Sequence, residues 1–170
     1  CANAAGGCAW WGCWQWDQEP PGRFVAGFLA DAAAAGAVPM ITIYIWYSVA
    51  GYVEGGPEVA ALQDGARVSD YLADFRFLCQ VMAEDPAITA LLHLEPDLWG
   101  YGHQVSDDPT QIPVALAAAG EPECAALGDS FAGFAACLRA IARAEAPNVL
   151  LGYHASAWGA GIDAIDNTDP

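Results

Sequence analysis

Glu95-Pro96-Asp97 is the densest chemistry-bearing stretch of the chain, with Trp99 and Tyr101 just beyond it. Carboxyls in this setting suit acid/base work. Breaking a glycosidic bond needs one protonated carboxyl for the leaving oxygen and a second carboxylate across the sugar. Glu95 and Asp97 share one strand exit and stand too close to fill both roles, so one is expected to be the acid. The opposing partner then comes from another loop. Asp17, Glu19 and Glu54 are candidates within the chain, and a strand outside it is another source.

All the Trp residues lie outside the helices that the pattern predicts. Trp10, Trp11, Trp14 and Trp16 crowd a Gly-broken first segment with Asp17 and Glu19, while Trp46, Trp99 and Trp158 end or follow predicted strands. Indole faces stack on the C–H faces of sugar rings, and carboxylates or His beside them bond hydroxyls. The expected ligand-binding set is therefore Tyr44, Trp46, His93, Trp99, Tyr101, His154 and Trp158, with Trp14, Trp16 and Asp17 from the first loop. His93, Glu95, Asp97 and His154 could also ring a divalent metal. No His-x-His or His-Glu-x-x-His spacing supports that, and neither metal nor cofactor is expected. No Gly-x-Gly-x-x-Gly or phosphate-binding loop is present, and Ser156 lacks the Gly-x-Ser-x-Gly setting of an esterase nucleophile.

Elements that could position these groups are legible as a rhythm. Ile88, Leu91, Leu92 and Leu94 read as a buried strand that stops at Pro96, which has no N–H to give. Residues 38–46 form a second strand, with Ile41, Ile43 and Ile45 alternating with Thr42, Tyr44 and Trp46, and residues 148–154 a third. Helical spacing predicts helices over about 23–35, 66–83, 113–119 and 131–144, the last capped by Asp129 or Ser130. Gly51, Gly55, Gly56 and Pro57 mark a loop, and a long polar stretch follows Asp97. Strand, long loop, helix and strand again is the grammar of parallel α/β structure. The second face of each strand turns polar and aromatic towards its exit, which suits the mouth of a β/α barrel. The expected fold is a partial, TIM-like (β/α) barrel with parallel strands and long βα loops. Such barrels take about 250 residues, so the 170 here are expected to be one incomplete domain, with sequence missing at both ends.

Composition narrows the partners. With 55% hydrophobic and 15% charged residues the chain is a folded one. A net charge of −16, from 21 acidic residues against five basic ones, repels nucleic acid and anionic lipid while tolerating a carbohydrate. No apolar run is long enough to span a membrane. Cys1, Cys8, Cys13 and Cys124 lie in loops where disulfides can form, whereas Cys79 and Cys137 fall at apolar helical positions and read as buried thiols. One or two disulfides point to an exported protein, extracellular or at the cell surface.

A strand, Gly-rich loop, Tyr-bearing helix and second strand ending in Glu-Pro-Asp resembles the family six glycoside hydrolases, the cellobiohydrolases and endoglucanases. Residues 91–99 match that family's Glu-Pro-Asp segment, whose Asp is the proton donor, and the resemblance makes Asp97 the acid. Cys124 resembles the disulfide Cys that follows this segment, and residues 152–159 resemble the family's Gly-His-x-x-Trp strand end. The family's Arg-Asp-Cys after the preceding strand is Trp46-Tyr47-Ser48 here. Leu94-Glu95-Pro96 is similar, in turn, to the Asn-Glu-Pro of retaining barrel glycosidases, which would make Glu95 the acid. Both resemblances imply hydrolysis of a β-linked polysaccharide. The alternative is a non-catalytic carbohydrate-binding protein on a degenerate barrel.

Overall fold

Residues 21–160 are described by a computed structural model. The alternation that marks the three strands in sequence produces β1 (Met40–Ile43), β2 (Ala90–Leu94) and β3 (Val149–Tyr153). They form one parallel sheet in the order β1-β2-β3, with Thr42 opposite His93 and His93 opposite Gly152. Around it lie seven α-helices among the described residues: α1 (Arg23–Ala34), α2 (Trp46–Val49), α3 (Gly56–Ala60), α4 (Gly65–Met82), α5 (Pro96–Val105), α6 (Leu116–Ala119) and α7 (Phe131–Glu145). This is a mixed α/β arrangement; the described residues do not close a barrel.

One sheet face is the core. Ile43, Leu92, Leu94 and Val149 are buried with Val68, Tyr71, Leu72 and Phe75 of α4 and Phe134, Leu138 and Ile141 of α7. Each such side chain contributes roughly 1.5–3 kcal/mol by leaving water. Caps fix where the two helices begin. Asp64 accepts from the N–H groups of Ala66 and Arg67 to start α4, and Ser130 accepts from that of Gly133 to start α7. The other face is open: Met40, Leu91 and Leu150 sit side by side across the strands at 56%, 37% and 48% exposure.

Three expectations are corrected. The first strand spans Met40–Ile43 rather than 38–46, because Ile45 adopts αR geometry and the chain turns into α2. A polar stretch was expected after Asp97, but α5 begins at once, with Pro96 in its first turn, where a missing N–H costs nothing. Cys137 is no free thiol: it is bonded to Cys124, tying α7 to the turn before it, while Cys79 is free and buried. No helix among the described residues is long and apolar enough to cross a membrane.

Candidate active site

The exits of β1 and β2 bring two groups of side chains together, and the change of backbone direction at each exit sorts them. Glu95 has φ 34° and ψ 69°, a left-handed conformation rare for a residue with a Cβ. That twist ends the strand alternation and turns Glu95 inward. The next residues start α5, which puts Asp97 in its first turn on the outer side.

Glu95 is fully buried, and its Oε1 accepts from the backbone N–H groups of Ile45 at 3.0 Å and Trp46 at 3.1 Å. It thereby staples the exit of β2 to that of β1. Oε2 and the nearby Tyr71 hydroxyl are left without a well-aligned partner. Burial pushes the Glu95 carboxyl up to about 8, against the opposing pull of its N–H donors and Tyr71. Glu95, expected as one of two possible acids, is a closed interior group with no face to a substrate.

Asp97 is half-buried and reaches outward. Its Oδ2 accepts from the Tyr44 hydroxyl at 2.6 Å, joining the ends of β1 and β2 on the opposite side from Glu95. The Tyr44 phenol is held well above its ordinary range, first by burial and then by that bond to Asp97. Tyr101, one turn along α5, is raised by burial and by the negative charge of Glu54, Asp97 and Glu58. Tyr44, Glu54, Glu58, Asp97 and Tyr101 thus form one acidic cluster.

Glu58 is the member that the sequence did not reveal. It is fully buried in α3, neither carboxylate oxygen has a partner, and burial followed by repulsion from Asp97 and Glu54 lifts it to about 7. Gly-Gly-Pro-Glu reads as a solvent-facing helix start, so only the packing of α3 on α5 discloses it. Glu54, an expected partner, does join the cluster.

The aromatic residues divide. Trp46 was expected at a ligand surface, yet it is a core residue with no exposed area, packed on Tyr71 and Phe134. Its indole N–H donates to the Glu58 carbonyl at 3.0 Å. The reason is the early end of β1, which puts Trp46 on a helix facing inward. Trp99 is half-buried between Phe131 and Tyr153, its N–H donating to the Leu94 carbonyl at 2.7 Å. Trp158 is 42% exposed and stacks edge-on against Tyr101, with ring centroids 5.0 Å apart.

A cleft of about 490 Å³ lies between α5 and the segment after β3, lined by Trp99, Gly100, His103, His154 and Ser156 among others. The two walls touch closely. Ser156 donates to the Pro96 carbonyl at 3.1 Å, and a Cβ on Gly100 would come within 2.7 Å of the Trp158 ring. His93 and His154 meet on the open sheet face, Nε2 to Nδ1 at 3.1 Å, with Thr42 Oγ1 3.2 Å from His93 Nδ1. The metal alternative loses its carboxylates: Glu95 turns to the core and Asp97 to Tyr44. No group of three or more metal-ligating side chains occurs among the described residues. Trp14, Trp16 and Asp17 lie outside the described residues. No protein-family profile, curated protein or solved structure matches this chain.

Proposed function

We propose that this protein is a glycoside hydrolase acting on a β-linked polysaccharide, with Asp97 as the general acid, and that its sheet is an arc of a β/α barrel. The observation that carries the proposal is Asp97 itself. It stands at the exit of the central parallel strand, half-open to solvent, with one oxygen fixed by Tyr44 and acidic neighbours around it. Parallel α/β sheets bind ligands at that end. Trp158, Tyr101, Trp99 and His154 supply apolar faces and hydrogen-bonding groups for sugar rings beside it. The Cys124–Cys137 disulfide suits an exported enzyme that meets polysaccharide outside the cell.

The deciding comparison is Asp97→Asn against Glu95→Gln across a panel of β-linked polysaccharides. Asp97→Asn should lower kcat about 10²- to 10⁴-fold and leave binding intact. Glu95→Gln should alter stability rather than turnover chemistry, since Glu95 is sealed in the core. Wild-type hydrolysis by Asp97→Asn would sink the proposal.

One observation favours a non-catalytic carbohydrate-binding protein instead: Glu58, the carboxyl beside Asp97, is closed to solvent and cannot itself face a substrate. Sugar binding without release of reducing ends would select that reading.

A further inference from the structure

Two imidazoles remain together after the carboxylates of the metal reading have turned away. His93 lies on the open face of β2, and its neighbour across the register on β3 is Gly152. Gly152 has no side chain, and nothing stands within 4 Å of where its Cβ would be. That leaves room for His154, just past the end of β3, to lie against His93. His93 Nε2 and His154 Nδ1 come within 3.1 Å, with the rings tilted by 53° and their centroids 5.2 Å apart. The other nitrogen of His93, Nδ1, lies 3.2 Å from Thr42 Oγ1 on β1. A proton held on Nδ1 by that hydroxyl leaves the Nε2 lone pair free.

We infer that His93 and His154 form a two-imidazole pincer for an exchangeable divalent transition-metal ion of the zinc, nickel and copper class, coordinated through His93 Nε2 and His154 Nδ1. The spacing carries the inference. Metal–nitrogen bonds of about 2.0–2.1 Å put two ligand nitrogens about 2.9 Å apart at a right angle and about 3.3 Å apart at the tetrahedral angle. The 3.1 Å between the two nitrogens falls between those values. An imidazole pair suits these ions rather than calcium or magnesium, which take oxygen ligands. On binding, the proton between the rings passes through solvent to His154 Nε2, so both imidazoles stay neutral and each gives one lone pair. Thr42 acts from behind His93, fixing its ring and its tautomer. His154 also lines the cleft beside α5, where water can fill the remaining coordination positions. The net charge of −16 concentrates cations around the chain. The site depends on neither Asp97 nor hydrolysis.

The test is a Zn²⁺ titration of the metal-free full chain, followed by calorimetry and by NMR of ¹⁵N-labelled histidine, in wild type, His93→Gln, His154→Gln, Thr42→Val and His103→Gln. The chain has three His, so His103 serves as the control. In wild type, one equivalent of Zn²⁺ should shift His93 Nε2 and His154 Nδ1 while each ring keeps a proton on its other nitrogen. Either His→Gln change at the pincer should weaken that binding about tenfold or more, and Thr42→Val about tenfold, whereas His103→Gln should leave it unchanged. Should one variant not fold, the other variant and the wild-type ring shifts still decide. Ca²⁺ or Mg²⁺ at the same concentration should leave both rings unmoved. Zn²⁺ that binds on carboxylates or thiols, with the two rings unmoved, refutes the site. Equal affinity in wild type, His93→Gln and His154→Gln refutes it too, as does a shift confined to His103.

Discussion

Residues 95 and 97 show how one intervening proline can send two carboxyls to opposite fates. Glu95 is desolvated and stapled to backbone N–H groups, while Asp97 is presented to solvent on a tyrosine. Tyr44 donates to Asp97 and fixes where its carboxyl points, so on the proposal that Asp97 is the acid, Tyr44→Phe should lower kcat about tenfold. Turnover by Tyr44→Phe equal to that of wild type would show that this bond does not position Asp97. Glu95 makes a separate prediction about stability. Its folded value of about 8 stands above the ordinary 4.5, so the folded chain holds this proton more tightly than the unfolded one. The resulting stabilisation is complete below about pH 4.5 and is lost as pH rises through about 8. Between pH 6 and 9 exposed carboxylates have finished titrating, so the part of any fall in stability over that window that Glu95→Gln removes, on the order of a few kcal/mol, belongs to this buried carboxyl. Denaturant midpoints should decline across it in wild type and decline less in Glu95→Gln. An unchanged slope would mean that Glu95 is already ionised in the folded chain.

At the level of elements, the parallel sheet was legible because Ile41/Ile43, Leu92/Leu94 and Val149/Leu151 alternate as half-buried strands must. What escaped lies at the strand exits, where periodicity ends and backbone geometry takes over. Trp46 continues the outward parity of Thr42 and Tyr44 on paper, yet α2 turns it into the core. Pro96 reads equally as a strand stop and as the first residue of a helix, and it is both. Cys137 shares its apolar stripe with Phe134 and Leu138, so its spacing says nothing of a bond to Cys124. That disulfide closes a short loop across 13 positions, and replacing both Cys by Ser should cost about 3 kcal/mol in reversible unfolding. A second tie joins the same region to α4. Arg76 bonds Glu121 at 2.6 Å, Glu123 at 2.7 Å and also Glu145, with 22% of its side chain exposed. Arg76→Ala leaves three carboxylates facing one another in a half-screened pocket. Allowing for that exposure, it should lower stability by about 2 kcal/mol, measured as a shift in denaturant midpoint.

Across the whole molecule the governing quantity is charge. A net −16 on 170 residues sets up a repulsive field in which the acidic cluster at Asp97 is the local concentration near the cleft. At 0.01 M salt the screening length is about 30 Å, comparable with the molecule, and at 0.15 M it falls to about 8 Å. At short range, inside the acidic cluster, salt screens least. The long-range remainder acts on whatever approaches. A neutral β-linked glucan feels almost none of it, so kcat/KM on such a substrate should be nearly flat between 0.01 and 0.3 M NaCl. A polyuronide is repelled at low salt, and its kcat/KM should rise several-fold over the same range as encounter becomes easier. Measuring both substrates across a salt series separates the field from the site. A neutral substrate with the steeper salt dependence would show that binding, rather than approach, is what the acidic surface controls.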